Sequence, residues 1–249
     1  MKYILLAMLA MALCTPVFAQ VESCPSGTED MMNYFTMGYP NRLTNNMGPG
    51  NANPIYTTID PDLGSNFAKT GHFLWTKSSV GYPWDVKTFD RNYIYDRTTE
   101  LSWTDPTTFK RFNTDLPMSK RCVPVGKSGG TIKISSAKTN YSSYSNCQPT
   151  QTQNLGYVVN TISAPTNVKT GGNLGTVLTR NFIYQYSCNS NYSNCTYQEI
   201  FSLGHNIGLY DWKYYQNVKG SFHLVQESKI NQFDSGSAMP YLPCTTAYE

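Results

Sequence analysis

Five carboxylates, Asp85, Asp90, Asp96, Glu100 and Asp105, lie between Trp75 and Phe112 among Trp84, Trp103 and several tyrosines. Paired carboxyl groups beside aromatic rings are the equipment of glycoside cleavage, in which one acid donates a proton while the other attacks or activates water. Spacing restrains that reading. If residues 92–103 form one strand, Asp96 and Glu100 share a face but stand about 13 Å apart, from four rises of roughly 3.3 Å. Catalytic pairs sit roughly 5 to 9.5 Å apart, so a working pair would need acids from different strands. The plainer expectation is that Lys87, Arg91, Arg97, Lys110 and Arg111 neutralise these acids in surface ion pairs of small energetic weight.

The same segment has a binding reading. On a strand over 92–103, Tyr93, Tyr95, Arg97, Thr99, Leu101 and Trp103 fall on one face and Ile94, Asp96, Thr98, Glu100 and Ser102 on the other. Tyr210, Trp212 and Tyr214 form a second row against Leu209, Asp211 and Lys213. Flat rings with polar edges stack on the apolar faces of sugars while neighbouring Asn, Asp and Gln groups take the hydroxyls. The candidate ligand set is therefore Trp84, Asp85, Tyr93, Tyr95, Asp96, Glu100, Trp103, Tyr210 and Trp212. Against it stands the more frequent use of such stripes, since large rings at period two fill the buried face of a sheet.

Other chemistry is poorly represented. His72, His205 and His223 are isolated, without a His-Glu-x-x-His pattern for zinc. Gly204-His205-Asn206 reads as a turn or bulge between strands. No Gly-x-Ser-x-Gly elbow occurs. Gly126-Lys127-Ser128 resembles the end of a phosphate loop, yet Arg121 stands where that motif needs its first glycine, and a hairpin or bulge is expected instead. No cofactor or metal is expected. Three sequons, Asn140-Tyr141-Ser142, Asn191-Tyr192-Ser193 and Asn194-Cys195-Thr196, would carry meaning only in a eukaryotic secretory route.

The compartment is read from the first residues. Lys2, an apolar run from Tyr3 to Leu13 and Val17-Phe18-Ala19 before Gln20 form a secretory signal, with cleavage expected after Ala19. A lipoprotein anchor at Cys14 is disfavoured because Ala12-Leu13 lacks the small residue expected beside the cysteine. Beyond the leader no apolar stretch reaches the roughly 18 to 20 residues of a membrane helix. The mature chain is thus expected outside the cell or in a periplasm, where Cys24, Cys122, Cys147, Cys188, Cys195 and Cys244 form disulfides. Cys188 and Cys195 flank an Asn/Ser-rich turn and should close it; Cys122 with Cys147 and Cys24 with Cys244 would complete the set. No Cys-x2-Cys cluster offers zinc ligands.

Composition narrows the partners. Charged residues make up 14% of the chain, against roughly 25% in an average domain. The net charge of +3 comes from scattered side chains, which argues against nucleic acid. Asn, Ser, Thr, Gln and Tyr must then supply the wet surface.

The elements that would hold these residues are mostly strands. β-branched and aromatic runs at 55–59, 71–77, 84–89, 92–103, 131–135, 156–162, 176–187, 198–203, 207–215 and 222–230 are separated by turn residues. Asn217-Val218-Lys219-Gly220 should close a hairpin. Two short helices are expected. One follows a capping box at Ser26-Gly27-Thr28-Glu29 with Met31, Met32 and Phe35 on its apolar face; the other starts at Asp105-Pro106 and runs to Phe112. The expected fold is all-β and mainly antiparallel: one disulfide-stabilised sandwich or irregular barrel over 20–249, with a possible seam near 136–154. An outer-membrane barrel is disfavoured, because few runs reach the ten alternating residues that it needs. The leading functional expectation is non-catalytic binding of an extracellular glycan; the alternatives are a glycan-active hydrolase or lyase using acids in 85–105, and a structural surface protein.

Overall fold

The computed structural model describes residues 23–36, 44–46, 55–60, 71–77, 83–101, 108–143, 148–170, 174–229 and 234–235. The chain begins there with β1 (Thr28–Asp30) and α1 (Met32–Phe35), followed by β2 (Thr44–Asn46), β3 (Ile55–Asp60), β4 (Gly71–Lys77), β5 (Pro83–Phe89) and β6 (Tyr93–Leu101). Next come β7 (Thr108–Lys120), β8 (Cys122–Pro124), β9 (Gly130–Ser143), β10 (Pro149–Ile162) and β11 (Thr166–Lys169). The last elements are β12 (Thr176–Cys188), β13 (Tyr197–Gly204), β14 (Gly208–Val218), β15 (Ser221–Lys229) and β16 (Asp234–Ser235). The expected signal at 1–19 lies outside the described residues.

The fold is all-β and antiparallel. One sheet of 14 strands runs in the order β15-β14-β13-β12-β10-β9-β7-β6-β5-β4-β3-β2-β16, with β11 added beside β12, and β1 pairs with β8 in a second, two-stranded sheet. Most neighbours are successive in the chain, so the sheet is largely a meander. Its ladder does not close into a barrel among the described residues. It nevertheless curls. β15 and β16 occupy opposite ends of the order, yet Lys229 and Asp234 are joined by so little chain that they lie within about 18 Å. β14 also approaches β3.

Local chemistry explains the register. At the β14–β15 hairpin, Val218 pairs with Ser221, and Lys219 and Gly220 both take positive φ, 53° and 89°. That is the turn whose twist matches the flanking strands, and Gly220 adopts it without a steric penalty. On β12, Phe182 and Tyr184 are buried. The opposite face mixes Val177 and Ile183 with polar groups bonded across strands: Gln185 Nε2 donates to Gln198 Oε1 at 2.8 Å and Ser202 Oγ to Asn181 Oδ1 at 3.1 Å. The 136–154 stretch, expected as a seam, runs through β9 and β10, which pair along most of their length.

Of the two expected helices the first is present but shortened, and the second is corrected. The segment after the capping box is strand β1 followed by a single helical turn. Glu29 reaches the Arg180 guanidinium instead of its own helix, and the Asp30 carboxylate accepts the Met32 N–H at 2.9 Å. Met31, Met32, Tyr34 and Phe35 are all fully buried and Asn33 is half-buried, so the turn packs into the core on more sides than an amphipathic surface helix would. Each such side chain contributes about 1.5–3 kcal/mol. From Thr108 onward the expected second helix is β7, whose Arg111 pairs with Thr98 on one side and Asn140 on the other. Two neighbouring strands satisfy its backbone, which outweighs a local helix-start signal. Residues 102–107 lie outside the described residues.

Among the described residues the disulfides are Cys188–Cys195, as expected, and Cys24–Cys122. The second replaces the expected Cys122–Cys147 and Cys24–Cys244 pairings; Cys147 and Cys244 lie outside the described residues. Its cause is topological. Asp30 of β1 sits opposite Cys122 of β8, which carries Cys24 to a Cα separation of 5.5 Å across 98 residues of sequence.

Candidate binding cleft

The Asp90 carboxylate organises the β5–β6 turn. Its Oδ1 accepts the N–H groups of Asn92 and Tyr93 at 2.8 and 2.9 Å, and its Oδ2 accepts the Tyr95 hydroxyl at 2.8 Å. Burial, and then the Asp90 carboxylate, raise the Tyr95 pKa well above the phenol value. Tyr95 therefore stays a neutral donor. Arg121 fastens the same turn from the far side: its N–H donates to the Asn92 carbonyl at 2.8 Å and its Nη1 to the Asp90 carbonyl at 3.4 Å. The guanidinium also grips Asp30, with Nη2 at 2.8 Å and Nε at 3.1 Å from Oδ2. One side chain thus ties the turn to the N-terminal segment.

Between these tied pieces lies a cleft of about 400 Å³, within the range of small-ligand sites. One wall is the turn, with Arg91, Asn92 and Tyr93; the other is Ser23, Pro25 and Cys122, with Lys120 beside them. Tyr93 and Lys120 are directly opposite each other on β6 and β7, so both side chains rise from the same face. The Tyr93 ring is half-buried, backed by Tyr95 at 5.9 Å between centroids. The floor is fixed by a disulfide, an ion pair and a bonded turn, so a ligand would meet a site already shaped.

The sequence-derived candidates divide. Tyr93 lines this cleft and Tyr95 supports it. Asp96 is 7% exposed and its Oδ1 lies 2.8 Å from the Nζ of the fully buried Lys87. The expected surface ion pair is therefore a buried one, and Arg97 turns to Asp115 at 3.3 Å. Tyr210 and Trp212 are 3% and 7% exposed. The Tyr210 hydroxyl meets Thr179 Oγ1 at 2.9 Å, with its pKa raised by burial, and Trp212 Nε1 donates to Glu199 at 2.7 Å. These two rings belong to the core. Trp212 continues into a row of Tyr214, Tyr197, Tyr186 and Tyr184, whose rings lie against one another at 4.7–6.4 Å and so use much of their faces on each other. Trp84, Asp85 and Glu100 occupy β5 and β6 but their side chains lie outside the described residues, as does Trp103.

Sequence reasoning missed Ser23, Pro25, Asn92 and Lys120, and took Arg91 only as an ion-pair partner. The available signal was weak. Ser23 and Pro25 flank Cys24, and Lys120 lies two residues before Cys122, so the two groups converge once that disulfide is known. His205 lies edge-on to Tyr34, 5.1 Å between centroids, in the turn between β13 and β14. Among the described residues no three His, Cys, Asp or Glu side chains converge as metal ligands, and no helix is long and apolar enough to cross a membrane. Comparison with protein-family models, curated proteins and solved structures found no match.

Proposed function

We propose that the protein is exported and binds an extracellular glycan without catalysis, using the cleft around Tyr93. The observation that carries this reading is the cleft itself: one ring, Tyr93, beside neutral hydrogen-bonding groups on Asn92 and Ser23, over a frame fixed by the Cys24–Cys122 disulfide. Rings of this kind take the apolar face of a sugar and nearby amides and hydroxyls take its edges. Export is supported by the leader-like sequence of residues 1–19 and by two disulfides, which persist in oxidising compartments. Catalysis by Asp96 is disfavoured because its carboxylate is committed to Lys87 in a buried pair.

The test is retention on immobilised polysaccharides, with Tyr93→Ala as the variant. Wild type held by at least one glycan class, and Tyr93→Ala released about tenfold more readily at an unchanged unfolding midpoint, is the expected outcome; one lost stacking contact of about 1.4 kcal/mol corresponds to that factor. Failure of the folded wild type to bind any major class would remove the reading.

A further inference from the structure

The sequons at Asn140, Asn191 and Asn194 take no part in the cleft, and the fold gives them three different surroundings. Asn140 is half-buried on β9 between Arg111 of β7 and Thr152 of β10, and its Oδ1 accepts the Thr152 hydroxyl at 2.8 Å. The other two lie in the loop that the Cys188–Cys195 disulfide closes between β12 and β13. That loop is pinned from beneath. Cys195 is 3% exposed, and the half-buried Tyr192 lies edge-on to Tyr157 at 5.1 Å between centroids, with the Lys133 ammonium over its ring. Asn191 and Ser193, on either side of Tyr192, are both exposed. The Asn191 carboxamide and the Ser193 hydroxyl are also held together: Oδ1 accepts the Ser193 O–H at 2.6 Å and its N–H at 3.1 Å. Such an Asx turn spans two residues and needs no distant contact to form, so it is open to the chain during export as well as after folding. Asn191 Nδ2 has no protein partner. Asn194 differs, because the Thr196 hydroxyl that completes its sequon donates to the Ser187 carbonyl at 3.2 Å and the intervening Cys195 is cross-linked.

From this geometry we infer that Asn191 is the acceptor of an N-linked glycan, and that it alone of the three sequons carries one. The modification needs an asparagine with a hydroxyl two residues on, presented at an accessible loop. Asn191 offers amide and hydroxyl together at the surface. Asn194 offers its amide without the hydroxyl, and Asn140 offers neither freely inside a run of paired strands. In the transfer, Asn191 Nδ2 attacks the anomeric carbon of a polyprenyl diphosphate-linked oligosaccharide. The new C–N bond forms as the C–O bond to the diphosphate breaks, the polyprenyl diphosphate leaves, and one amide proton passes to solvent. The inference is independent of the cleft and rests only on the export part of the reading above, through a secretory route that carries such a donor.

The experiment expresses the full chain, leader included, in a eukaryotic secretory host. Secreted and cell-retained protein are both treated with peptide N-glycosidase in heavy-oxygen water, which converts each occupied asparagine into a labelled aspartate, and are then mapped by peptide mass. The expected result is label at Asn191 in most molecules and at neither Asn140 nor Asn194. Asn191→Gln and Ser193→Ala should each abolish it, Ser193→Thr should keep it, and Thr196→Ala should leave it unchanged. Non-reducing peptide maps should show the Cys188–Cys195 bridge in all four variants, which separates loss of the acceptor from loss of the loop. No label at Asn191 in either fraction would overturn the inference, and so would label at Asn140 or Asn194 that equals or exceeds it. A chain secreted without any glycan leaves the export reading standing while removing this one. A chain held in the cytosol with its leader uncut removes both.

Discussion

Asp96 and Lys87 meet at 2.8 Å with almost no solvent contact, and that contact defines what the acid does. Removing one partner of a buried pair leaves the other charge without compensation, at about 3–5 kcal/mol. Asp96→Asn should lower the denaturant midpoint accordingly, and the double variant Asp96→Leu/Lys87→Met should recover much of the loss; a stable single variant would show that the pair is not buried. Tyr95 makes a second prediction, on pH. Its folded pKa is raised, by burial first and Asp90 second, and those of Tyr34 and Tyr210 are raised chiefly by burial. Below the ordinary phenol pKa of about 10 both states keep their protons and this stability is intact. Above it the unfolded chain ionises first, so stability falls as pH climbs toward the raised values. Tyr95→Phe should flatten that alkaline decline, measured as the urea midpoint against pH; an unchanged slope would contradict the assignment. Residue types were legible from sequence here and roles were not. The carboxylate run was visible, but the partner of Asp96 sits nine positions away across a hairpin, and the partner of Arg97 is Asp115 on the next strand. Only strand pairing makes such choices.

Strands were far easier to read than helices. The run at 71–77 matches β4, and the runs at 84–89, 176–187 and 198–203 fall within one residue of β5, β12 and β13 at each end. Alternating β-branched and aromatic residues carry that signal locally. The N-terminal segment resisted because its fate is decided by distant residues: Glu29 answers Arg180, Asp30 answers Arg121, and Cys24 answers Cys122. A capping-box motif could not compete with three such anchors. This segment should be tightly coupled to overall stability. Replacing both Cys24 and Cys122 by serine removes a closure spanning 98 residues, expected to cost about 4–5 kcal/mol. Met32→Ala, which empties a fully buried site, should cost about 2–5 kcal/mol. Both are read from denaturant unfolding. Small effects would show that the segment lies on the fold without supporting it.

At the scale of the molecule, one curled antiparallel sheet has its N-terminal segment packed into it and clamped over one turn, and the clamp creates the cleft. All-β architecture was legible from the strand grammar, and the Cys188–Cys195 bridge from its short loop. The curl and the second disulfide were not, because both depend on which strands become neighbours. The candidate site followed the same division: Tyr93 was legible as an aromatic at a strand position, whereas Lys120 and Ser23 enter only through the pairing of β6 with β7 and of Cys24 with Cys122. The central claim is that this clamp builds the ligand site. It is tested most directly by backbone amide chemical shifts during titration with oligosaccharides of the glycan class that retains the protein. The account predicts saturable changes concentrated at Ser23, Arg91, Asn92, Tyr93 and Lys120, abolished by Tyr93→Ala; changes centred instead on Tyr186, Tyr197 and Tyr214, with those five amides unmoved, would contradict it.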